Sequence, residues 1–265
     1  MKLILGDCLD VLKTMAPGSV GHVVTDPPYA QTNESYDGPI ATRAEVWREC
    51  YRVCGPNAAL VAFTGSPTYH RIATAIESAG WKVRQMWGWV YRDGLIISAW
   101  PREGFDRLAP AMDPIVFATK GKVLLTLKKE GQPWARGKGN NFEGYSTRAS
   151  VRRGTNASEG HYPRSIASDG LDGFQYFAAS RTDAVRFDAL GHPNAKPLDL
   201  MRWIVAKLPN KGPILDPFAG SATTLIAARD EGFDGIGIEQ NSDFIKIGRR
   251  RLRTSLKAHE TTPKK

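Results

Sequence analysis

Apolar positions along the chain fall in short runs parted by turn-forming residues, and the runs alternate between strand and helix lengths. Leu3-Ile4-Leu5 predicts a short strand, followed by a helix over 7–15 with Leu9, Val11 and Leu12 inward. The mostly apolar run from Val20 to Thr25 predicts a buried strand. Asp26-Pro27-Pro28-Tyr29 ends it, because two prolines remove two backbone donors and stop regular structure. Residues 30–39 are polar and turn-rich and read as a loop. An amphipathic helix is expected over 41–53, closed by Gly55-Pro56. A strand over 58–63, a helix over 67–79 closed by Gly80, and strands over 82–91 and 114–119 follow.

Residues 120–190 break this pattern. They are rich in Gly, Asn, Ser, Arg and aromatic residues with little periodicity, and read as an irregular insert. The alternation then resumes. A helix is expected over 198–208, a strand over 213–215 ending in Asp216, a helix over 222–230 and a strand over 234–238 ending in Glu239. A last helix spans 243–253, and 256–265 reads as a frayed tail. Strands alternating with helices predict an α/β fold around an open, mostly parallel sheet.

Charge changes this picture. The 265 residues are 42% hydrophobic and 24% charged, which excludes a mainly disordered chain, and the net charge is +9. Ten Lys and Arg against three Asp and Glu give residues 120–164 a net +7. Eight against one give 246–265 another +7, so the remaining body is slightly acidic. Basicity gathered into two segments suits a phosphate-bearing partner; a merely solvated basic surface is the alternative. Cys8, Cys50 and Cys54 are too few for a disulfide framework, and Cys50 and Cys54 lie four apart, as on one buried helix face. No Cys/His spacing suits zinc, so no metal is expected. Asp7 and Asp10 argue against a signal peptide, no apolar run approaches the roughly 20 residues of a membrane span, and a cytoplasmic setting is expected.

Two stretches carry chemistry. Pro213-Ile-Leu-Asp-Pro-Phe-Ala-Gly-Ser-Ala-Thr-Thr224 reads as a buried strand, a Gly-containing turn and a helix start, the geometry of a nucleotide-like ligand site at the carboxyl end of a sheet. Asp216 can accept from a cationic amine, and Gly220 allows close backbone approach. Glu239 closes the next buried strand, Gly235-Ile-Gly-Ile-Glu239, and suits the two hydroxyls of a ribose. Each acid alone would be a strand-end cap. Together, around this turn and without a phosphate-binding glycine motif, they favour a ribose ligand with a cationic end, and S-adenosylmethionine is such a molecule. In Asp26-Pro27-Pro28-Tyr29, a carboxylate and a proline carbonyl can face one amino group, while Tyr29 offers a stacking face. A tight turn with a packed Tyr is the competing reading.

Asp-Pro-Pro-Tyr, Asp-Pro-Phe-Ala-Gly-Ser-Ala-Thr-Thr and Gly-Ile-Glu together resemble the S-adenosylmethionine-dependent DNA amino-methyltransferases of adenine N6 and cytosine N4. Their order, with the Asp26 motif first, a basic segment next and the cofactor strand last, resembles the beta class. Gly6-Asp7-Cys8-Leu9 resembles the adenine-contacting element, and His192-Pro-Asn-Ala-Lys196-Pro197 a cofactor-pocket segment. The resemblance implies a Rossmann-like, mostly parallel seven-stranded sheet, circularly permuted. Residues 1–120 and 185–255 would form the catalytic domain and 121–184 an inserted target-recognition segment. Ala222 stands where the family has a second glycine of the cofactor turn; with a negative φ it would be tolerated.

The same resemblance implies the roles. Asp26, Pro27, Pro28 and Tyr29 would hold a flipped-out base. Asp7 and Cys8 would lie at the cofactor's adenine and Glu239 at its ribose. Asp216, Phe218, Ala219, Gly220 and Ser221 would border its methionine portion, with Lys196, Thr223 and Thr224 near its carboxylate. Lys128, Lys129, Arg136, Lys138, Arg148, Arg152, Arg153 and Arg164 are candidates for DNA contacts. Arg249-Arg250-Arg251 reads as a solvated helix face. Methylation of adenine N6 in double-stranded DNA is the leading expectation. Cytosine N4, the same cofactor acting on glutamine side chains or RNA amino groups, and a DNA-binding protein that has lost catalysis are the alternatives; the permuted order and the basic insert argue against the second. Expected partners are double-stranded DNA, a second copy of the chain and a separate restriction endonuclease.

Overall fold

Alternate side chains of the buried strands enter two different cores, the arrangement that a sheet covered on both faces requires. Val23, Leu60, Ala62, Val116 and Ala118 belong to one cluster, and their neighbours Val24, Val61, Phe63, Ile115 and Phe117 to the other. The computed structural model describes residues 1–31, 37–90, 112–126, 195–209 and 212–260, with short strands between 166 and 177. In chain order the elements are β1 (Lys2–Leu5), α1 (Cys8–Thr14), β2 (His22–Thr25), a 3-10 turn (Pro39–Thr42), α2 (Ala44–Val53), β3 (Ala58–Phe63) and α3 (Tyr69–Ser78). They continue with β4 (Lys82–Val90), β5 (Met112–Lys120), β6 (Ile166–Ala167), β7 (Asp169–Leu171), β8 (Phe174–Phe177) and α4 (Leu198–Ala206). The last are β9 (Ile214–Asp216), α5 (Thr223–Asp230), β10 (Gly235–Glu239) and α6 (Ser242–Glu260).

The sheet order is β1-β10-β9-β2-β3-β5-β4-β6. Pairings from β1 through β3 are parallel, and β5 runs antiparallel to both β3 and β4. Seven strands carry the fold, and the two-residue β6 adds an eighth at the edge, parallel to β4. β7 and β8 form a separate antiparallel ribbon, so the segment read from sequence as irregular contributes three short strands. Helices α1, α2 and α3 cover one face, through Leu12, Val46, Trp47, Cys50, Ile72 and Ile76. Helices α4 and α5 cover the other, through Leu200, Met201, Ile204, Val205, Ala227 and Ala228.

The order places the site. From β2 the chain moves to β3 on one side, and from β9 to β10 on the other. The carboxyl ends of β2 and β9 therefore flank the point where strand order reverses, where open α/β sheets leave a crevice. Two boundaries differ from expectation by more than two residues. The helix expected from 41 divides into the 3-10 turn and α2, joined at Arg43 in extended conformation. The last helix runs to Glu260, into the stretch read as a tail, because no Gly or Pro interrupts residues 254–260. Lys120, counted with the basic insert, donates to the carbonyls of Tyr51 (2.7 Å) and Cys54 (2.6 Å) and so closes the C-terminus of α2. Among the described residues no helix is long and apolar enough to cross a membrane.

Candidate active site at the strand carboxyl ends

Asp216, at the end of β9, is 2% exposed and is the most buried acid of the site. Its Oδ1 accepts from the Thr25 hydroxyl of β2 at 2.6 Å and from the Phe218 amide at 3.1 Å. Thr224 of α5 donates to it as well. Burial nevertheless pushes the carboxyl up to about 6, because desolvation outweighs these donors and Asp26 adds negative charge nearby. The Thr25 bond joins the two motif-bearing strands directly.

The turn after Asp216 is held by Glu239. Its Oε2 accepts from the Gly220 amide at 2.9 Å, and its Oε1 from the Asn241 amide at 2.7 Å. Burial raises the Glu239 carboxyl above its ordinary value. Gly220 has φ +47°, where a side chain would be strained. Ala222 has φ +65° and ψ +29°, so the expectation of a negative φ is corrected: this alanine is left-handed. The backbone cost is of order 1 kcal/mol. The methyl is fully buried and faces Gly248 of α6, where an added Cβ would lie 3.2 Å from it and 2.9 Å from a Leu3 methyl. Glycine on α6 thus accommodates alanine in the turn.

At the end of β1, Asp7 caps α1, accepting from the amides of Leu9 (2.8 Å) and Asp10 (3.2 Å). The Gly6 amide donates to the Glu239 carbonyl at 3.0 Å, which brings Asp7 to the same edge as Glu239. Cys8 is buried and its thiol is pushed up to about 12, so it is neutral at physiological pH.

On the other side of the crevice, the Tyr29 hydroxyl donates to Asp26 Oδ1 at 2.6 Å. Lys196 lies 2.8 Å from Asp26 Oδ2. The sequence reading assigns Lys196 to the cofactor's carboxylate; in the structure its ammonium sits on Asp26, 5.2 Å from the Tyr29 ring centroid and 5.3 Å from that of Phe63. Thr223 and Ser221 likewise face inward. One Arg251 nitrogen, Nη1, donates to the Ser221 carbonyl (2.7 Å), the Ser221 hydroxyl (2.6 Å) and the Thr223 hydroxyl (2.8 Å). Burial lowers this guanidinium to about 10. Arg251 is therefore not part of a solvated helix face, whereas Arg249 and Arg250 are exposed.

Sequence reasoning missed Thr25, Arg251 and Asp37. Arg251 was legible in the helical period, three residues after Gly248 and six after Ile245, both buried on α6. Asp37 left no signal. From eight residues beyond Tyr29 it accepts from the amides of Tyr29 (2.6 Å), Ala30 (2.9 Å) and Gln31 (2.8 Å), with Ala30 at φ +55°. A carboxylate facing three successive amides fixes the turn after Asp26-Pro27-Pro28. The eight candidate DNA-contacting residues, Lys128 to Arg164, and His192 lie outside the described residues.

The arrangement brings together two carboxylates bordering a glycine turn and, across the switch point, a carboxylate beside an aromatic face. Acids at the turn would repel a phosphate; they accept from hydroxyls and cationic amines, which is the chemistry of a ribose and an amino acid moiety. The residues therefore fit S-adenosylmethionine.

The DNA methylase family model, of the N6/N4 class, matches residues 20–250. The DNA adenine methyltransferase YhdJ of Escherichia coli (strain K12) is 26% identical over 274 residues, covering 94% of this chain and 82% of that protein. A putative DNA modification methylase of Thermus thermophilus, solved with S-adenosyl-L-methionine, has a similar fold, with a TM-score of 0.60 at 21% identity over 96% of this chain and 95% of that one. So has the cytosine-N4-specific PvuII DNA methyltransferase, with a TM-score of 0.62 at 17% identity over 94% of this chain and 85% of that one.

Proposed function

The chain belongs to the N6/N4 DNA methylase family and is an S-adenosylmethionine-dependent DNA amino-methyltransferase, and on that premise we propose that it methylates adenine N6 in double-stranded DNA. The observation that carries this reading is Asp26, held on a double-proline turn beside Tyr29 at the switch point, one strand away from Asp216. Asp at the head of the motif favours adenine, as does the relative that acts on DNA adenine. The fold is shared with a cytosine-N4 enzyme, so cytosine N4 is the second reading.

The target amine is conjugated with its ring, which makes it a weak nucleophile, and inside a duplex its lone pair is stacked out of reach. Base flipping brings it to the crevice. Asp26 and the Pro27 carbonyl accept its two hydrogens, which draws the lone pair back onto nitrogen. Pro27 and Pro28 fix the direction of those acceptors. Tyr29 turns its ring face to the base. The cofactor supplies an electrophilic methyl group on a sulfonium. Glu239 would hold the ribose hydroxyls, Asp7 and Cys8 would lie at the adenine, and the turn 216–221 with Thr223 and Thr224 would border the methionine portion. The chain's contribution is positioning and electrostatics, with no covalent enzyme intermediate.

Residues 1–120 and 185–255 act as the catalytic domain in this reading. The segment 121–184, which includes the basic candidates Lys128 to Arg164, contacts the duplex. A cytoplasmic setting, a homodimer and a separate endonuclease belong to the same proposal. The test is transfer of labelled methyl from S-adenosylmethionine to mixed-sequence duplex DNA, followed by nucleoside mass analysis. N6-methyladenine is the expected product. N4-methylcytosine would overturn the base assignment, and cofactor binding without any methylated nucleoside would favour a protein that binds DNA without catalysis.

A further inference from the structure

Both oxygens of Asp26 are engaged, and by unlike donors. Oδ1 accepts from the neutral Tyr29 hydroxyl at 2.6 Å, and Oδ2 faces the Lys196 ammonium at 2.8 Å. A target amine must displace one of them. An ammonium held on a carboxylate resists displacement more than a hydroxyl does, and the Lys196 and Asp26 side chains are only 11% and 23% exposed. Tyr29 also has reason to leave: rotating its ring to stack on a base carries its hydroxyl off Oδ1. Lys196 has none. It directly precedes Pro197 and α4, whose Leu200 and Met201 are in the core, and its ammonium lies near the Tyr29 and Phe63 rings.

We propose that Lys196 is a positioning residue for the transfer: it anchors Oδ2 of Asp26, so that Oδ1, covered in the free protein by the Tyr29 hydroxyl, is the oxygen presented to the target's amino group. The Tyr29 hydroxyl is a placeholder that the amine replaces. The ammonium also gives Asp26 a positive neighbour where the second carboxylate, Asp216, is close enough to interact with it. This role rests on the proposed base-transfer reading and reassigns Lys196 from the cofactor's carboxylate to the base's acceptor.

The test compares wild type with Lys196→Met and Lys196→Ala on mixed-sequence duplex DNA. It reads the single-turnover transfer rate at saturating S-adenosylmethionine and, separately, the Kd for cofactor and for DNA. Positioning predicts a rate about ten- to a hundred-fold lower in both variants, the loss of one charge-assisted bond to the reacting carboxylate, with both Kd values within about threefold of wild type. Ethylammonium added to Lys196→Ala, which has room for it, restores much of the rate; a merely structural role would not respond. Should neither variant fold, Lys196→Gln carries the same comparison with a smaller change in packing. A rate within threefold of wild type overturns the proposal. So does a tenfold rise in cofactor Kd with the saturated rate intact, which would return Lys196 to the cofactor. Absence of transfer by the wild type is a separate result, failing the base-transfer reading on which the proposal stands.

Discussion

Thr25→Val removes one hydroxyl from the seam between β2 and β9 with almost no change in shape. Thr25 is fully buried, and its 2.6 Å bond to Asp216 Oδ1 is lost while the Phe218 amide stays. A hydrogen bond to an ionised group contributes about 1.5–3 kcal/mol, and one to a neutral carboxyl about 1 kcal/mol. The charge state of Asp216 therefore sets the cost. Its native carboxyl titrates at about 6 against an ordinary 3.8, so between those values the native state binds more protons than the unfolded chain. Stability is fullest below the ordinary value and falls by about 3 kcal/mol as pH rises through 6. Without the Thr25 donor the native carboxyl rises further and the fall deepens. Urea unfolding at pH 5 and pH 8 measures both ends. The variant should lose about 1 kcal/mol at pH 5 and about 2–3 kcal/mol at pH 8. A loss that shrinks with rising pH, or stays under about 0.5 kcal/mol throughout, would refute the role of Thr25 as a donor to a buried carboxylate.

Other substitutions test the turn from different sides. Ala222→Gly relieves roughly 1 kcal/mol of left-handed strain but loses about as much in a buried methyl and adds freedom to the unfolded chain, so stability should change by less than about 1 kcal/mol. Chemical denaturation checks it, and a loss above about 2 kcal/mol would show that the methyl's packing outweighs the strain. Glu239→Ala should lower cofactor affinity about ten- to a hundred-fold by calorimetry, since the Gly220 turn loses its acceptor and, in the proposed reading, the ribose loses its own; an unchanged Kd would remove Glu239 from the pocket. Arg251→Met should lower the thermal midpoint and weaken cofactor binding together, because three acceptors in the turn lose one donor group. Unchanged values would restore the reading of Arg251 as a solvated residue.

Most strand positions were legible because each is a buried apolar run that ends in a punctuating residue, Asp26 or Asp216 before a proline and Glu239 before a polar stretch. The pairing of β2 with β9 was not, since 191 residues separate Thr25 from Asp216 and only the strand order makes them neighbours. Backbone sign at Ala222 was hidden for a different reason: composition favours glycine in a left-handed turn, and the glycine that makes alanine tolerable sits on another helix, at 248. Lys196 was drawn to the site by its motif, yet only the folded geometry distinguishes a carboxylate of the protein from one on a ligand. Asp37 acts across a loop that has no periodicity to read.

In the proposed mechanism Asp26 acts on the base while the turn after β9 binds the cofactor, as two separable functions meeting at one crevice. Asp26→Ala, which removes both acceptor oxygens, separates the two, with calorimetric S-adenosylmethionine binding and labelled-methyl transfer to duplex DNA measured on the same preparation. Cofactor Kd within about threefold of wild type with transfer reduced at least a hundred-fold is the predicted result. Transfer at the wild-type rate, or loss of cofactor binding in step with loss of transfer, would contradict it.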